Sequence, residues 1–236
     1  MTLSLADAYN LLKKELSCAV LHITSGDSLA MSFQASGLPE SGDTLLPFRE
    51  AMCDGTAAGA PFSTEFQRTR AASLGISLDE YRTKVMGPLA PFLEAAYPAV
   101  ALWFGADMFC IANLISLLAR LDDARFGGQV FLIPVEERIP ETAAPPVLLP
   151  AHGFRPIYDA LLCRHEMPEA LSEPFLTGAR LYLDYHDPNG TLNGYIRAHI
   201  GRNALLSHLL SRFPEYGLGD TQYQKRIDEI RHENGR

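Results

Sequence analysis

The sequence predicts an α/β fold, in which a small, mainly parallel sheet is flanked by helices and followed by an all-helical C-terminal part. Short, almost uninterrupted apolar runs recur in the first part of the 236-residue chain, and the clearest is AVALWF at residues 99–104. Such runs are typical of strands that are buried on both faces, as in a parallel sheet. Segments with apolar residues at helical spacing alternate with these runs and then continue alone to the C-terminus.

Helices and strands alternate through the first part of the chain. We expect helices over residues 4–16, 28–37, 77–96 and 108–122, and strands over residues 18–24, 44–48, 99–104 and 129–135. Ser77 and Glu80 have the spacing of a capping box, and Gly87-Pro88 is expected to interrupt the helix that they begin. Residues 54–76 are rich in small side chains and are expected to form a loop with a helical part.

The C-terminal part is expected to be helical throughout. Four prolines between residues 136 and 151 favour irregular structure in that segment. We therefore divide the chain into an α/β domain (1–137), a proline-rich linker or strap (138–151) and a helical part (152–236). Thr221 and Gln224 form a second capping box. The expected helices cover residues 157–165, 175–186, 191–200, 204–213 and 222–232.

The charge balance argues against a nucleic-acid partner. The chain has 20 Lys and Arg residues against 28 Asp and Glu residues, which gives a net charge of −8. Proteins that follow a phosphate backbone carry a basic excess instead, so no nucleic acid is expected. Most of the negative charge lies before residue 151, in the part that also contains the candidate site. This favours a cation, an amine or a hydroxyl-rich ligand over a bare polyanion.

The cysteines and the N-terminus indicate the cellular compartment. The four cysteines are far apart and form no C-x-x-C pair, which disfavours a disulfide framework and a zinc site. The first helix contains charged residues, so it is not a secretory signal, and no apolar run approaches the roughly 18 residues of a membrane span. We therefore expect a cytoplasmic protein with no membrane association and no metal site, whose cofactor, if it has one, is unknown.

The first candidate site follows the strand over residues 18–24. This strand contains His22, and the junction with the next helix reads Gly26-Asp27-Ser28. Ligands bind beyond the carboxyl ends of the strands of a parallel sheet, where helix N-termini also favour anions. Asp27 and Ser28 are therefore candidate catalytic residues, and His22 and Gly26 are candidate ligand-binding residues. The alternative is that Asp27 or Ser28 only caps the helix and that His22 is a hydrogen-bonded core residue.

The second candidate site follows the strand over residues 99–104. Asp107 comes directly before a helix, and if the two strands are neighbours it faces the same crevice as Asp27. Paired carboxylates suit a metal, a sugar hydroxyl or an amine. Asp107 is thus the third candidate catalytic residue, with Trp103 and Asn113 as candidate ligand-binding residues. The alternatives are that Asp107 caps its helix, Trp103 packs in the core and Asn113 bonds a neighbouring loop.

Three arginines lie between the two candidate sites, in the irregular part of the chain. Arg49, Arg68 and Arg70 are placed where a loop could fold over the crevice, and an arginine there would clamp an anion. We include Arg49 and Arg70 among the candidate ligand-binding residues. The alternative is that they are ordinary surface arginines.

Gly26-Asp27-Ser28-Leu29 also resembles the G-D-S-L block of a family of serine hydrolases, in which the serine is the nucleophile. Gly105-Ala106-Asp107 is loosely similar to a later block of that family. Those enzymes take the base that activates the serine from a D-x-x-H sequence near the C-terminus. The nearest candidates here are Asp184-Tyr185-His186 and Asp228 to His232, and both have a different spacing. A hydrolase with Ser28 as nucleophile is therefore kept as an alternative.

Blocks spread over most of the chain carry a further resemblance. They are His22 with Gly26-Asp27-Ser28, Pro47-Phe48-Arg49-Glu50, Asp54-Gly55, Leu102 to Cys110 with Asn113-Leu114, Tyr185 to Pro188, and Phe213 to Asp220. Together they resemble a bacterial family known as domain of unknown function 1835. The resemblance implies an α/β fold and a functional surface around the Gly-Asp-Ser and Trp-x-x-x-Asp blocks, and it adds Glu50 to the candidate ligand-binding residues. It implies no reaction.

Two hypotheses of different classes follow from the sequence. The first is a cytoplasmic protein with a small polar ligand bound at the strand ends, where hydrolysis or group transfer on a phosphorylated or polyhydroxylated molecule would be the natural chemistry if the protein is an enzyme. The second is a non-enzymatic interaction protein that uses its helical C-terminal part to form a homodimer or to bind a partner. The sequence does not decide whether catalysis occurs.

Overall fold

The computed structural model describes residues 2–94, 97–136 and 141–234. The strands are β1 (Val20–Thr24), β2 (Thr44–Pro47), β3 (Ala99–Phe104), β4 (Gln129–Glu136), β5 (Thr142–Ala143) and β6 (Val147–Leu149). The helices are α1 (Leu5–Glu15), α2 (Asp27–Ala35), α3 (Thr64–Leu74), α4 (Leu78–Tyr81), α5 (Ala90–Leu93), α6 (Met108–Asp123), α7 (Phe154–Tyr158), α8 (Phe175–His186), α9 (Thr191–Ala198), α10 (Leu205–Arg212) and α11 (Asp220–Asn234).

The sheet confirms the predicted, mainly parallel α/β architecture. Its strand order is β2-β1-β3-β4-β5, and β6 also pairs with β4. Strands β1 to β4 run parallel, whereas β5 and β6 run antiparallel to β4. Thr24, the last residue of β1, is in register with Pro47 of β2 and Trp103 of β3. The carboxyl ends of β1 and β3 therefore lie side by side, as the candidate site requires.

The strand order reverses between β1 and β3: the strand that follows β1 in the chain lies on one side of this pair, and the strand that follows β3 lies on the other. From β1 the chain passes through α2 to β2 on one side, and from β3 it passes through α6 to β4 on the other side. Helix α2 packs on one face of the sheet through Leu29 and Phe33, and α6 packs on the opposite face through Ile111 and Leu114. A reversal of this kind is a topological switch point, and it opens a crevice at the carboxyl ends of the strands.

Each face of the sheet has its own hydrophobic core, because the central strands are buried on both sides. All six residues of β3 are buried. Helices α1 and α2 cover one face, while α6 covers the other and continues the same core into α8, α9, α10 and α11. The C-terminal helices thus rest on the α/β part through α6, which packs against α7 and α8. The division into three parts stays a prediction.

The proline-rich segment is more regular than expected. Strands β5 and β6 form within it, so the prediction of irregular structure is wrong for their residues. Pro145 and Pro146 lie between these two strands, at positions where no backbone N–H is needed for strand pairing. The hydrogen bonds are donated by other residues, such as Ala143, whose N–H donates to the carbonyl of Leu3 at 2.9 Å. Pro140 lies outside the described residues.

The helix predicted over residues 77–96 is broken more than once. Helix α4 runs into a π-helical segment at Arg82–Met86, and α5 begins only after the predicted interruption at Gly87-Pro88. Ala95 and Ala96, at the predicted end, lie outside the described residues. A second π-helical segment, Asp159–Cys163, continues α7 where a single α-helix was expected.

The two predicted capping boxes have different outcomes. Ser77 caps α4, since its Oγ accepts a hydrogen bond from the N–H of Glu80 at 3.1 Å. Thr221 is not a cap, because α11 begins at Asp220 and Thr221 already lies inside the helix. The N–H of Thr221 is instead bonded by the carboxylate of Asp220 at 2.7 Å.

Candidate ligand-binding crevice

A crevice lies at the carboxyl end of the parallel strands, at the switch point between β1 and β3. Its first cavity has a volume of about 610 Å³. The ends of β1, β3 and β4 and the loops after them form one wall, and the C-terminal part forms the opposite wall. The residues on the two walls include Ser25, Gly26, Gly105, Asp107 and Glu136 on the first and Leu210, Pro214, Gly217 and Leu218 on the second.

A second cavity, of about 500 Å³, adjoins the first. The two cavities share Ser25, Gly26 and Phe109, and we refer to them together as the strand-end crevice. Asp107 lines the first cavity and Asp27 lines the second. The two acids that were expected to face one crevice therefore occupy adjoining parts of it.

Asp107 is the N-cap of α6, as the alternative interpretation of the sequence held. Its Oδ1 accepts a hydrogen bond from the N–H of Cys110 at 2.8 Å. Two glycines make room for its carboxylate, because a Cβ at Gly105 would lie 2.6 Å from Oδ2 and a Cβ at Gly217 would lie 2.0 Å from Oδ1. Gly217 also has a φ of +66°, which favours glycine. Asp107 thus caps a helix and borders the cavity at the same time.

Asp27 does not cap its helix. Helix α2 begins at Asp27 and its N-cap is Gly26, which makes no side-chain capping bond, so the expectation that Asp27 or Ser28 is the cap is wrong. Gly26 has extended backbone with a φ of 178°, and a Cβ there would meet nothing within 4 Å. Neither strain nor close packing requires glycine here, and the space beside Gly26 is the open crevice.

Asp27 instead forms an ion pair with Arg49, which also lines the second cavity. The guanidinium Nε lies 3.0 Å from both carboxylate oxygens and Nη2 lies 2.7 Å from Oδ1. This carboxylate raises the pKa of Arg49. Both side chains are exposed, so the pair is accessible to a ligand entering the crevice.

Glu50 and Arg70 form a buried ion pair that fixes the loop after β2. The Glu50 carboxylate accepts hydrogen bonds from Nε and Nη2 of Arg70, both at 2.8 Å, from the hydroxyl of Tyr81 at 2.7 Å and from the N–H of Ala51 at 2.7 Å. Arg70 also donates to the carbonyl of Ala51 at 3.0 Å. Although Glu50 borders the second cavity, its carboxylate and the guanidinium of Arg70 are fully engaged within the protein.

The surroundings of this buried pair favour the charged guanidinium of Arg70. Burial by itself lowers the pKa of Arg70, but the hydrogen bonds and the charge of Glu50 outweigh it, so the pKa is raised. Burial and the nearby carboxylate of Glu50 both raise the pKa of Tyr81, so its hydroxyl stays protonated and donates. The expectation that Glu50 and Arg70 bind a ligand gains no support from this arrangement.

His22 and Trp103 lie in the core on the face of the sheet that α1 and α2 cover, which is opposite to the face covered by α6. The indole N–H of Trp103 donates to Nδ1 of His22 at 3.1 Å. Because an indole can only donate, the imidazole proton is on Nε2, which donates to Asp43 at 3.2 Å. Burial lowers the pKa of His22 in spite of this neighbouring carboxylate. Both residues have the core role that was the alternative in the sequence analysis, and neither is among the described lining residues of the crevice.

Asp43 joins this network and was not identified from the sequence. Besides His22, its carboxylate accepts hydrogen bonds from the hydroxyl of Tyr9 at 2.8 Å, Nζ of Lys13 at 3.0 Å and the N–H of Val20 at 2.9 Å. Burial alone would raise the pKa of Asp43, but these donors outweigh it and hold the pKa well below its usual range. Asp43 thus ties α1, β1 and β2 together at the amino end of the sheet. Its position directly before a predicted strand was the only signal in the sequence.

Asn113 is a buried residue of α6 that holds the loop after β2. Its Oδ1 accepts a hydrogen bond from the N–H of Met52 at 2.9 Å, which confirms the alternative that it bonds a neighbouring loop. Its Nδ2 is buried and has no partner among the described residues. Asn113 is not among the described lining residues of the crevice.

The geometry offers no base that would make Ser28 a nucleophile. Ser28 is exposed on the first turn of α2 and is not among the residues that line either cavity. Neither cavity has a histidine among its described lining residues. His22, the histidine nearest to Ser28 in sequence, has both ring nitrogens engaged in the core. The serine hydrolase alternative therefore gains no support.

The two cavities differ in charge. The first has the acidic side chains Asp107 and Glu136, and it has no Lys or Arg among its described lining residues. In the second, Asp27 is paired with Arg49, and Lys84 pairs with Glu80 at 2.6 Å. The first cavity is thus the acidic part of the crevice, and the second is close to balanced.

Three general features complete the description of the site. In the part of the chain that the structure describes, no helix is both long and apolar enough to cross a membrane. The same part contains no group of three or more His, Cys, Asp or Glu residues placed to hold a metal ion. None of the four cysteines forms a disulfide there.

Comparisons with known proteins do not assign the chain to a family. No family model matches it, so the resemblance to the bacterial family of unknown function stays a prediction. No curated protein matches it either. Among solved structures, that of MppP soaked with the product 2-ketoarginine is similar over 87% of this chain and 57% of MppP, with 16% sequence identity and a TM-score of 0.30. The chain spans little more than half the length of MppP.

Proposed function

We propose that the chain is a cytoplasmic protein that binds a small polar ligand with hydroxyl or amino groups in the strand-end crevice. The observation that carries the proposal is the position of the crevice, which opens at the switch point between β1 and β3 and is walled by the loops after these strands. Open α/β sheets bind their ligands at this place. Membership of the bacterial family of unknown function that the sequence resembles is part of the same proposal.

The charge of the first cavity supports the ligand class. A carboxylate such as that of Asp107 accepts hydrogen bonds from hydroxyl and ammonium groups, and it repels phosphate. The N-terminus of α6 does not offset this, because Asp107 already accepts from the N–H of Cys110. The cavity volume of about 610 Å³ also falls in the range of about 300–1,000 Å³ that small-molecule sites occupy.

A substitution at Gly26 tests the proposal directly. Because a Cβ at Gly26 meets nothing within 4 Å and the backbone is extended, Gly26→Phe places a large ring in the crevice without backbone strain. Thermal unfolding would be followed with three separate probe sets: monosaccharides, polyols and aliphatic diamines. We expect at least one set to raise the melting temperature of the unchanged chain and to have no effect on Gly26→Phe.

Gly127→Phe is the matched control. Gly127 is exposed, lies between α6 and β4 at the opposite end of the sheet, and also has open space around its Cβ position. This variant should keep the ligand-induced shift of the unchanged chain. An equal shift in Gly26→Phe would mean that the ligand binds elsewhere, and the absence of a shift with all three probe sets would contradict the proposed ligand class.

A further inference from the structure

One segment of this acidic chain has the opposite charge. Residues 188–214 contain three arginines and two histidines and have no Asp or Glu, although the whole chain has a net charge of −8. The segment includes α9 and α10 of the C-terminal part. The positive charges of this segment create a locally positive potential, which attracts anions to a chain that is otherwise acidic.

Both histidines and one arginine of this segment gather around one aromatic ring. The ring of Tyr195 stacks on His199 with a centroid distance of 4.1 Å and on His208 at 5.9 Å, and the guanidinium of Arg212 lies 5.3 Å from its centroid. The backbone N–H of Arg202 donates to the carbonyl of His199 at 2.8 Å, which places Arg202 next to this group. Burial lowers the pKa of His208, and the charges of Arg202, Arg212 and His199 lower it further. We call these five residues the Tyr195 cluster.

The aromatic ring also restricts the orientation of the side chains packed on it. Stacking on a ring restricts the rotation of a guanidinium or an imidazole, so less conformational freedom is lost when a ligand binds. The Nδ1–H of His199 donates to the carbonyl of Tyr195 at 2.9 Å, which orients its ring further. The cluster is therefore partly pre-organised rather than a set of independent mobile side chains.

The arginines of the cluster differ from a neighbouring arginine in their partners. Arg197 pairs with Glu233 at 3.5 Å and donates to the carbonyl of Pro188. Arg202 and Arg212, in contrast, form no ion pair with any residue that the structure describes, and both are exposed. Among the described residues, no acidic side chain lies within ion-pair distance of either guanidinium.

We propose that the Tyr195 cluster binds a small phosphorylated compound with more than one negative charge. Arginine guanidinium groups form paired, charge-assisted hydrogen bonds with phosphate oxygens, and imidazoles add further donors. The site is separate from the strand-end crevice. Leu210 of α10 lines the first cavity. His208 and Arg212 are each two residues from Leu210 in the sequence, and residues two apart on an α-helix point to nearly opposite faces, so these two side chains lie on the face of α10 away from the cavity.

The extent and surroundings of the cluster favour a small ligand over a nucleic acid or a membrane. His199, His208 and Arg212 lie around a single ring, whereas a long polyanion needs an extended track of cationic groups. A long polyanion or an anionic membrane would also lie against the surface around the cluster, in a chain whose net charge is −8. A compact phosphate compound meets only the local positive field.

Isothermal titration calorimetry with pyrophosphate tests this proposal on the full chain. We expect the unchanged chain to bind pyrophosphate and the variants Arg202→Gln and Arg212→Gln to bind it about tenfold more weakly or not at all. Both residues are exposed, so neither variant should change the melting temperature of the unliganded protein appreciably. Pyrophosphate has no hydroxyl or amino group of the kind proposed for the crevice, so the two proposals can fail separately.

Arg125→Gln is the control with the same change of net charge. Arg125 is exposed and follows the C-terminal end of α6, whereas the N-terminal end of α6 borders the crevice. An equal loss of affinity in Arg125→Gln would show a general charge effect and overturn the proposal, as would a failure of the unchanged chain to bind pyrophosphate. Binding of an oligothymidylate or of phosphatidylserine vesicles without binding of pyrophosphate would overturn it too, because the surface would then recognise a macromolecule or a membrane.

Discussion

Arg49 and Glu50 are neighbours in the sequence, and each forms an ion pair, but the two pairs lie in opposite environments. In the Arg49–Asp27 pair the side chains are 42% and 56% exposed, whereas both side chains of the Arg70–Glu50 pair are 0% exposed. Both residues of the exposed pair line the second cavity of the strand-end crevice. The buried pair holds the same loop from the core, and the hydroxyl of Tyr81 donates a further hydrogen bond to Glu50.

The difference indicates which part of the crevice wall can move. Water and salt screen the exposed pair, so Arg49 can leave Asp27 at little cost when a polar ligand enters. The buried pair cannot lose one partner without leaving an unpaired charge in the core. The loop after β2 is therefore anchored at Glu50, while Arg49 can turn within the crevice.

Breaking the buried pair should give the largest effect. Glu50→Gln removes the charge that compensates Arg70 and replaces an acceptor with an amide that cannot satisfy the same donors. Since an uncompensated buried charge costs about 3–5 kcal/mol, we expect a loss of that size in the free energy of unfolding. Urea denaturation at neutral pH measures it.

Glu80→Gln is the matched control for this substitution. Glu80 pairs with Lys84 on the surface, where the two side chains are 38% and 68% exposed, so its neutralisation should change the unfolding free energy by less than about 1 kcal/mol. The double variant Glu50→Met with Arg70→Met should be more stable than Glu50→Gln, because no charge is left in the core. A loss as small in Glu50→Gln as in Glu80→Gln would contradict the anchoring role.

The Lys13–Asp43 pair lies between these extremes, with side-chain exposures of 26% and 3%. Asp43→Asn replaces a carboxylate that accepts from four donors, and we expect it to lower the unfolding free energy by about 1–3 kcal/mol near neutral pH. Because the pKa of Asp43 is depressed in the folded state, its stabilisation is complete above the usual value for an aspartate and is lost as the pH falls.

The difference in unfolding free energy between the unchanged chain and Asp43→Asn should therefore be largest above about pH 5 and shrink as the pH falls below about 4. Guanidinium chloride denaturation of both proteins across this range measures it. A difference that stays constant with pH would show that Asp43 acts through packing rather than through its charge.

The strands and helices that position the crevice could be predicted from the sequence because their signals are local. The run at Ala99–Phe104 predicted β3, and the acidic residue directly before the next apolar helix correctly suggested Asp107 as its cap. Both follow from residues close together in the chain. The adjacency of β1 and β3, which the candidate site needed, is a long-range pairing that the sequence supported only through the fold class.

The roles of His22 and Trp103 could not be settled from the sequence for a related reason. In strands buried on both sides, residues on the two faces look alike, so nothing local shows which face a side chain occupies. Trp103 therefore could not be placed on the α1 and α2 side. Nor could the buried pair of Glu50 and Arg70 be recognised, because the two residues meet only after α3 has packed against the loop after β2.

The smallest expected effect concerns the exposed pair. In a double-mutant cycle of Asp27→Ala and Arg49→Ala, we expect a coupling free energy below about 1 kcal/mol, because both side chains are solvated and no helix cap is lost at Asp27. The coupling should fall further when urea denaturation is repeated at about 0.5 M salt, where screening is stronger. A coupling as large as the loss in Glu50→Gln would mean that the crevice wall is as rigid at Arg49 as at Glu50. The difference between the two neighbours would then lie in their exposure alone, and a ligand could no longer displace Arg49 from Asp27 at little cost.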